Sequence, residues 1–424
     1  MKKLKQNNTS GSANISNFEI CKITQKKKIL SFLRLNGYTS APELCIYFKI
    51  SLPTCIVWLN DLILSGNVVN IGTGQSSGGR KPNLYGLPEN GYYAIVCDIG
   101  RYCSSITIMD CFSKFVTPII QISTNADDSL LVDKLFEETN KLLNHYHIPD
   151  QRIYGLGVYM PGLINSEEGI NYSIKDITRR NIGQDLKRRY NNKMIYIDND
   201  ARMHAFGELY FGSAKAYRNA IVIHWSWGIA FGIIVNGQLC KGKNGFAGEF
   251  SHIPIVENGE LCMCGKRGCL QTIGSSTYIM KRVKQGFADH AVTSLINQFE
   301  NHPEMVTPED VIHLARHGDE FCISILNEVG SAMGKGLSYI IQLLNPEAII
   351  FSGPISKAKQ YVLSPIQQSI NRFCIERISG STKLVVSEMG DRSAFLGTCE
   401  MIFQKVFNEI DLPVINHSKI QKII

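Results

Sequence analysis

The chain has 424 residues, of which 44% are hydrophobic and 19% charged, a composition typical of globular proteins. At roughly 150 residues per domain, this length predicts about three structural units. No run approaches the ~18 apolar residues of a membrane span and no apolar segment follows the basic start, so we expect a soluble, cytoplasmic protein without a membrane partner.

The excess positive charge is confined to the N-terminal region. Residues 1–90 contain 11 Lys or Arg and 4 Asp or Glu, whereas the remaining residues contain equal numbers of each sign, so the whole net charge of +7 lies in this first fifth. Such asymmetry indicates a polyanionic partner, usually nucleic acid. Residues 1–20 are polar and rich in Asn and Ser, and we expect them to form a disordered tail.

Three short helices are predicted after this tail. The first covers residues 24–35. The second begins after Ser40, with Glu43 three residues later as a capping box. The third begins after Ser51, has Pro53 in its first turn, where a missing N–H does no harm, and ends at Gly66. Short helices joined by tight turns are typical of a helix-turn-helix.

Two strands predicted at residues 68–71 and 83–85 complete a winged form of this motif, which we place at residues 21–88. The loop between them ends in Gly-Gly-Arg-Lys-Pro, so Arg80 and Lys81 suit phosphates or a narrow minor groove. The middle of the third helix, Cys-Ile-Val-Trp at residues 55–58, has few groups that hydrogen-bond base edges. Direct readout of double-stranded DNA is therefore expected from Ser51, Thr54 and Asn60.

From residue 89 onward the pattern predicts an α/β body with two lobes and a cleft. Strand-like runs alternate with helical ones, and glycine-rich turns follow several of the strands. The predicted strands cover residues 94–98, 153–158, 194–197, 220–223 and 348–351. We place one subdomain at residues 89–212, completed by a C-terminal helix at 395–412, and the other at 213–394.

The spacing His252-x9-Cys262-x-Cys264-x4-Cys269 predicts a structural Zn²⁺ site. Four soft or borderline ligands within 18 residues suit a tetrahedral ion, and four protein ligands leave no open position for catalysis. The alternative is a set of buried free thiols, but the ten other cysteines are scattered singly. An odd total of 13 cysteines without framework spacing also favours a reducing compartment.

Four short motifs follow one another along the body, and their combination points to a known family. They are Gly-x-x-x-Pro-Gly at residues 157–162, Asn-Asp-Ala at 199–201, Gly-Glu-x-x-His at 248–252 and the cysteine loop at 262–269. This set resembles the ROK proteins, which comprise bacterial repressors and sugar kinases. The winged head further resembles the repressor branch, which includes N-acetylglucosamine and xylose repressors. The resemblance implies an actin-like or hexokinase-like ATPase fold behind the winged helix-turn-helix, with the zinc loop in the second lobe.

The resemblance also implies a sugar site. Its residues are Gly162, Asn199, Asp200, Glu249, His252 and Gln271, and Asp200 matches the position of the kinase base. His252 is expected to use one ring nitrogen for zinc while the other faces the sugar. Gln271 departs from the family, which usually has Glu there, so the bound hydroxyls are expected to differ. Without the resemblance, Asp200 reads as a turn residue.

The loops that contact nucleotide in ROK kinases are altered in this chain. Asp-Ile-Gly-Arg-Tyr at residues 98–102 replaces Asp-x-Gly-Gly-Thr, and Ser352-Gly353 replaces Gly-Gly near adenosine. Residues 226–232, Ser-Trp-Gly-Ile-Ala-Phe-Gly, replace the second glycine-rich loop, and Trp227 and Phe231 are expected to fill phosphate space. We therefore expect ATP binding to be lost and no catalytic residue to remain.

The sequence thus predicts a sugar-responsive regulator, most simply a repressor. Its expected partners are a DNA operator, a sugar or sugar phosphate, and a second or further copy of the chain in a homodimer or tetramer. One alternative is a bifunctional kinase of hexoses or N-acetylhexosamines that carries a DNA-binding head. Another is a body that responds to a protein, such as a phosphotransferase component. The sequence names neither the sugar nor the operator.

Overall fold

The computed structural model describes residues 17–74, 81–100, 103–124, 128–173, 181–191, 193–299 and 302–407, with side chains from residue 24. Contacts divide the chain into two units. The first contains the described residues up to Tyr93, Asp110–Phe112 and the chain from Phe403. The second contains Ala94–Met109 and Ser113–Ile402. Most of the predicted tail and the chain after residue 407 lie outside the described residues.

The first unit combines three helices with a small sheet. Its elements are α1 (Asn17–Asn36), β1 (Tyr38–Ser40), α2 (Ala41–Phe48), α3 (Leu52–Leu64), β2 (Val69–Thr73) and β3 (Asn83–Gly86). The sheet has the order β1-β3-β2 with antiparallel pairing throughout. The helices and strands predicted for this region are therefore present, although α1 begins before the predicted start at residue 24. Residues 17–20 belong to this helix and not to the predicted tail.

Local sequence explains where these helices begin. The Ser40 hydroxyl accepts a hydrogen bond from the Glu43 N–H at 3.4 Å, and the Glu43 carboxylate accepts one from the Ser40 N–H at 2.7 Å, which is the predicted capping box. Ser51 caps α3 by accepting from the Thr54 N–H at 3.4 Å. In the described part of the chain no single helix is long and apolar enough to cross a membrane. Only α2 and α3 together reach that length and composition, and they are bent by 115°.

The second unit contains two five-stranded sheets. The first lobe comprises β4 (Tyr93–Ile99), β5 (Ser104–Asp110), β6 (Ile120–Ile122), α4 (Leu131–His145), β7 (Ile153–Met160), the hairpin β8 (Ile164–Asn165) and β9 (Ile170–Asn171), α5 (Ile182–Arg189), β10 (Met194–Asn199) and α6 (Asp200–Phe211). Its sheet has the order β10-β7-β4-β5-β6, with β10 parallel to β7 and β5 antiparallel to β6.

The second lobe repeats this strand order. It begins with β11 (Ala220–Trp225), β12 (Ile229–Val235), β13 (Gln238–Leu239), α7 (Gln271–Gly274), α8 (Ser276–Ala288), α9 (Ser294–Gln298), α10 (Pro308–Arg316) and α11 (Glu320–Leu344). It continues with β14 (Ala348–Ser352), α12 (Gln360–Phe373), α13 (Glu376–Ser379) and β15 (Lys383–Val386), and α14 (Arg392–Phe407) follows. The sheet order β13-β12-β11-β14-β15, read in the opposite direction, matches that of the first lobe strand by strand. The five predicted strands of the body are thus confirmed as β4, β7, β10, β11 and β14.

Glycines allow the helices of the body to pack closely. A Cβ at Gly334 of α11 would lie 2.4 Å from the Ile366 carbonyl oxygen of α12, so only glycine fits this crossing. A Cβ at Gly157 of β7 would lie 2.4 Å from the Thr398 side chain of α14. The last helix therefore lies against β7 of the first lobe.

Candidate metal centre and ligand cleft

The predicted metal ligands form one cluster. Ligand atoms of His252, Cys262, Cys264 and Cys269 all lie within 4.8 Å of one another. The Cys264 and Cys269 sulfurs are 3.6 Å apart, and the Cys262 sulfur lies 3.4 Å from His252 Nδ1. For a tetrahedral Zn²⁺ with metal–sulfur bonds of about 2.3 Å, two sulfurs are separated by about 3.8 Å. The donor set and its spacing therefore fit Zn²⁺, and His252 offers Nδ1 as its ligand atom.

Tight backbone turns bring the three sulfurs together. The Cys262 N–H donates to the Lys266 carbonyl at 2.7 Å, and the Gly265 N–H donates to the Cys262 carbonyl at 2.9 Å. Gly268 has a φ of +73°, and a Cβ there would lie 1.8 Å from the Val256 carbonyl oxygen. Glycine is therefore required in this loop.

Gly162, Asn199 and Asp200 meet where β10 passes into α6. Asn199 caps this helix by accepting from the Arg202 N–H at 3.3 Å, and its side-chain amide donates to the Gly162 carbonyl at 2.9 Å. Asp200 accepts from the Ala201 N–H at 2.8 Å. Because the capping role fixes Asn199, the neighbouring Asp200 carboxylate is held at the helix N-terminus, where negative charge is favourable.

Arg202 holds together the chain segments around this turn. It is the main structural residue of the site that the sequence analysis missed. Its buried guanidinium forms an ion pair with Asp198 and donates to the carbonyl oxygens of Ile164, at 3.1 Å, and Gly245. One cation thus joins the β8–β9 hairpin to the segment before Glu249. Only the spacing of Asp198 and Arg202 at i and i+4 offered a signal in the sequence.

Burial changes the acidity of two carboxyl groups in this region. Burial raises the pKa of Asp200 to about 6, and the negative charge of Glu249 contributes to the shift. The pKa of Asp98, at the end of β4, is raised to about 7 by burial and then by the charges of Asp200 and Asp391. Asp200 therefore lies close enough to interact electrostatically with both Asp98 and Glu249.

Glu249 and His252 lie in the same single helical turn, Glu249–His252. Burial raises the pKa of Glu249 and lowers that of His252, as expected for groups held away from bulk water. Gln271 follows the last cysteine by two residues and accepts a hydrogen bond from the Ile229 N–H at 3.1 Å. The structure thus brings Asp200 and Glu249 together electrostatically, while the Gln271 carbonyl is already used by the loop before β12.

A sequence model of the ROK family matches residues 113–405. The chain belongs to the ROK family.

Repressors and kinases of this family match different lengths of the chain. The xylose repressor of Bacillus subtilis is 26% identical over 92% of this chain and 97% of its own length. The DNA-binding transcriptional dual regulator NagC of Escherichia coli is 25% identical over 94% and 97%. A glucokinase from Halalkalibacterium halodurans is 30% identical over 65% of this chain and 85% of its own. The repressors therefore match the N-terminal unit as well as the ROK body.

Solved structures give the same division. A ROK family transcriptional regulator, a homologue of the E. coli MLC protein, matches with a TM-score of 0.75 and 23% identity, covering 91% of this chain and 97% of that one. A ROK family glucokinase from Streptomyces griseus, in complex with glucose and AMPPNP, matches with a TM-score of 0.64 and 22% identity, covering 73% and 98%. At these identities the likeness establishes the hexokinase-like α/β fold of the ROK body.

The altered ROK nucleotide loops do not all behave as expected. Phe231 is buried in the core of the second lobe, with its ring centroid 4.9 Å from that of Phe250. The expectation that it fills phosphate space is therefore wrong, because its position in β12 directs it into the core. Trp227 is 56% exposed in the loop between β11 and β12. Arg101 and Tyr102 lie outside the described residues.

A stacked histidine pair lies beside these loops of the ROK body and was not predicted. The rings of His204 and His224 are 3.8 Å apart and nearly parallel. His204 Nδ1 lies 2.7 Å from the Ser393 hydroxyl, and His224 Nε2 lies 3.6 Å from Asp391. Burial lowers the pKa of both histidines, so both are held neutral. The two histidines are 20 residues apart in the chain, and no local sequence pattern predicts that they stack.

The predicted DNA contacts lie in the first unit. Ser51, Asn60 and Lys81 are exposed and Thr54 is half-buried, while Arg80 lies outside the described residues. The Ser51 and Thr54 hydroxyls lie 2.8 Å apart in the cap of α3. Asn60 is therefore the predicted readout residue whose side chain is exposed on α3 and has no role in the cap.

Proposed function

We propose that this ROK protein is a sugar-responsive, DNA-binding transcriptional regulator that acts as a repressor. The observation that carries the proposal is the extent of the match, since repressors align over 92% and 94% of the chain, including the N-terminal unit that the glucokinase match leaves out. Three helices, an antiparallel hairpin and the 115° bend between α2 and α3 suit a winged helix-turn-helix.

The ligand in this proposal is a sugar or sugar phosphate bound in the cleft of the body. Asp200 and Glu249 supply carboxylate acceptors, and Asn199 and Gly162 fix the turn beside them. Adjacent hydroxyls of a sugar donate well to a carboxylate, which accepts at two oxygens. His252 contributes Nε2, while Nδ1 faces the cysteines. Gln271 contributes its amide N–H groups, because its carbonyl already accepts from Ile229.

The metal in this proposal is a structural Zn²⁺ held by His252, Cys262, Cys264 and Cys269. When bound, it fixes the tautomer of His252 and so determines which ring nitrogen can meet the sugar. His252 thereby links the folding of the loop to the geometry of the cleft. Loss of the metal is expected to weaken stability and ligand binding together.

The DNA contacts in this proposal are Ser51, Thr54, Asn60, Arg80 and Lys81, and the DNA-binding form is a homodimer or tetramer. A dimer presents two heads to a near-palindromic operator. A sugar can change DNA affinity only if it binds one arrangement of the heads better than another. Sedimentation of the protein with and without operator tests the assembly, and a monomer in both conditions contradicts it.

The first alternative, a kinase that also binds DNA, is favoured by the glucokinase match and by Asp200 at the base position. The altered loops around Trp227 and Ser352-Gly353 oppose it, since phosphoryl transfer depends on groups that hold the nucleotide. The second alternative, release by a phosphotransferase protein, predicts that DNA binding ignores every sugar. No contact in the described residues favours that reading.

Isothermal titration tests the proposal. The ligands are xylose, N-acetylglucosamine, glucose and their phosphates, run beside an ATP analogue with Mg²⁺, followed by the same sugars added to the protein–operator complex. Binding of one sugar without nucleotide, together with a change in operator affinity, supports the regulator. Tight binding of the ATP analogue, with sugar phosphorylation abolished by Asp200→Asn, supports the kinase and contradicts our proposal.

A further inference from the structure

One face of α3 is exposed along the length of the helix. Pro53, Val57, Asn60 and Leu64 follow one another at i, i+4, i+7 and i+11, and all four are exposed, Val57 by 53% and Leu64 by 87%. The opposite face is buried in the first unit. Outward faces of helices in soluble domains are normally polar or charged. Three apolar residues among these four therefore call for a partner that offers apolar groups.

Charge around this face favours a polyanion as that partner. Asp61 is the only acidic residue of α3, and its carboxylate accepts from Lys26 Nζ at 2.8 Å, so its charge is compensated. Lys49, in the turn before the helix, and Lys81, before β3, are both exposed. With the whole excess of positive charge in residues 1–90, the surroundings of this face are complementary to a polyanion, and DNA is the polyanion of the proposed function.

The major groove of DNA offers apolar groups at one kind of base pair. Only thymine presents a methyl group there, whereas G·C pairs present hydrogen-bonding groups that Val or Pro would leave unsatisfied. An Asn side chain pairs best with adenine, through N6 and N7. The helix has no Arg or Lys, the residues that most often read guanine. The exposed face of α3 thus matches A·T pairs in two ways: its apolar side chains suit the thymine methyl group, and its Asn suits adenine.

We propose that α3 reads A·T base pairs in the major groove, with Val57 and Pro53 packed on thymine methyl groups and Asn60 bonded to adenine. This inference rests on the proposed DNA-binding function and adds the class of sequence that the helix recognises. Val57 and Asn60 are three residues apart on one face, so they meet neighbouring base pairs. Val57 is then a specificity-determining residue that hydrogen-bonding arguments overlook.

The test uses the full-length protein and DNA selected by it from a randomised duplex library. Each thymine of the selected half-site is then replaced by deoxyuridine, which removes only the methyl group. One or two replacements are expected to weaken binding by about fourfold each, the value of one buried methylene-sized group. In Val57→Ala the replacement at the thymine that Val57 contacts is expected to have no further effect, whereas the replacement at the thymine that Pro53 contacts keeps its effect. Asn60→Ala is expected to lower the preference for adenine at one position by about tenfold.

Val292→Ala is the matched control, since Val292 is 97% exposed and lies in the other unit. It should behave as the wild type towards both thymine and uracil duplexes. Sequence-specific binding that is indifferent to uracil, with Val57→Ala equal to wild type, overturns the inference and leaves the proposed function standing. Failure to select any DNA overturns both. Selected half-sites whose core is G·C overturn the inference on their own.

Discussion

The two lobes of the ROK body share one strand order, yet the loops that follow their strands differ in how many polar side chains they hold in place. On the sugar side, Asn199 and Gly162 are joined by a hydrogen bond and Asp200 is held at the start of α6. In the second lobe, Trp227 is exposed in the loop between β11 and β12. The two lobes therefore differ in that one holds its polar side chains in fixed positions and the other exposes a bulky side chain.

This difference between the lobes agrees with what the proposed regulator requires of the fold. In the proposed regulator, sugar binding requires fixed donors and acceptors, and Asn199 and Asp200 are held in place by hydrogen bonds. Phosphoryl transfer requires in addition a surface that holds the nucleotide, and the proposed regulator has no need of that surface. The stacked His204 and His224 rings lie next to Ser352 in the second lobe, and burial lowers the pKa of both.

The largest expected effect comes from the metal loop that supports the sugar side. Cys264→Ser should remove bound zinc and lower the stability of the second unit by several kcal/mol, because structural zinc contributes directly to folding. Zinc content by atomic absorption and the melting temperature measure both changes. Cys103→Ser, another exposed cysteine, is the control. If Cys264→Ser retains zinc, full stability and sugar binding, the metal has no part in the cleft.

The next effect separates the two walls directly. Asp200→Asn should weaken sugar binding about 10-fold to 100-fold, the usual value of a hydrogen bond to a charged group, with little change in stability. Trp227→Gly, on the opposite wall, should leave sugar affinity unchanged, and Asp289→Asn controls for loss of an exposed carboxylate elsewhere. Titration of the preferred sugar into each variant measures the contrast. Equal losses in the Asp200 and Trp227 variants would mean that both walls bind the ligand.

Much of this arrangement was open to prediction because local chemistry determines it. Helix starts are predictable from capping residues, here Ser40 with Glu43 and Ser51. The metal ligands are predictable because their spacing places all four close together in the chain. The position of Phe231 was misjudged because a side chain's direction depends on the strand register, which an aligned loop motif does not contain. The central role of Arg202 depends on Gly245 and Ile164, carbonyls that are distant in sequence.

A third effect concerns pH on the sugar side. Burial raises the pKa of Asp200 to about 6, and the ionised carboxylate is the better acceptor of sugar hydroxyls. Sugar affinity should therefore rise about tenfold between pH 5 and pH 7 as Asp200 loses its proton, and then level off. Titrations across this range measure the midpoint. Asp200→Asn should bind weakly at every pH, and a flat profile in the wild type would contradict the role of this carboxylate.

The smallest effect is expected at Gln271, whose side chain supports the loop before β12 through Ile229. Gln271→Glu keeps the acceptor for the Ile229 N–H, found at 3.1 Å, but removes the amide donor that a ligand oxygen could use. Stability should be unchanged, while the preference among sugars shifts by less than about tenfold.

Gln271→Leu removes the acceptor too and leaves the N–H unsatisfied, at a cost of about 1–3 kcal/mol. Comparing the two variants by melting temperature and by titration with the sugar panel separates support of the loop from ligand choice. If Glu changes stability as much as Leu does, Gln271 serves the loop alone and the departure from the family residue has no bearing on the ligand.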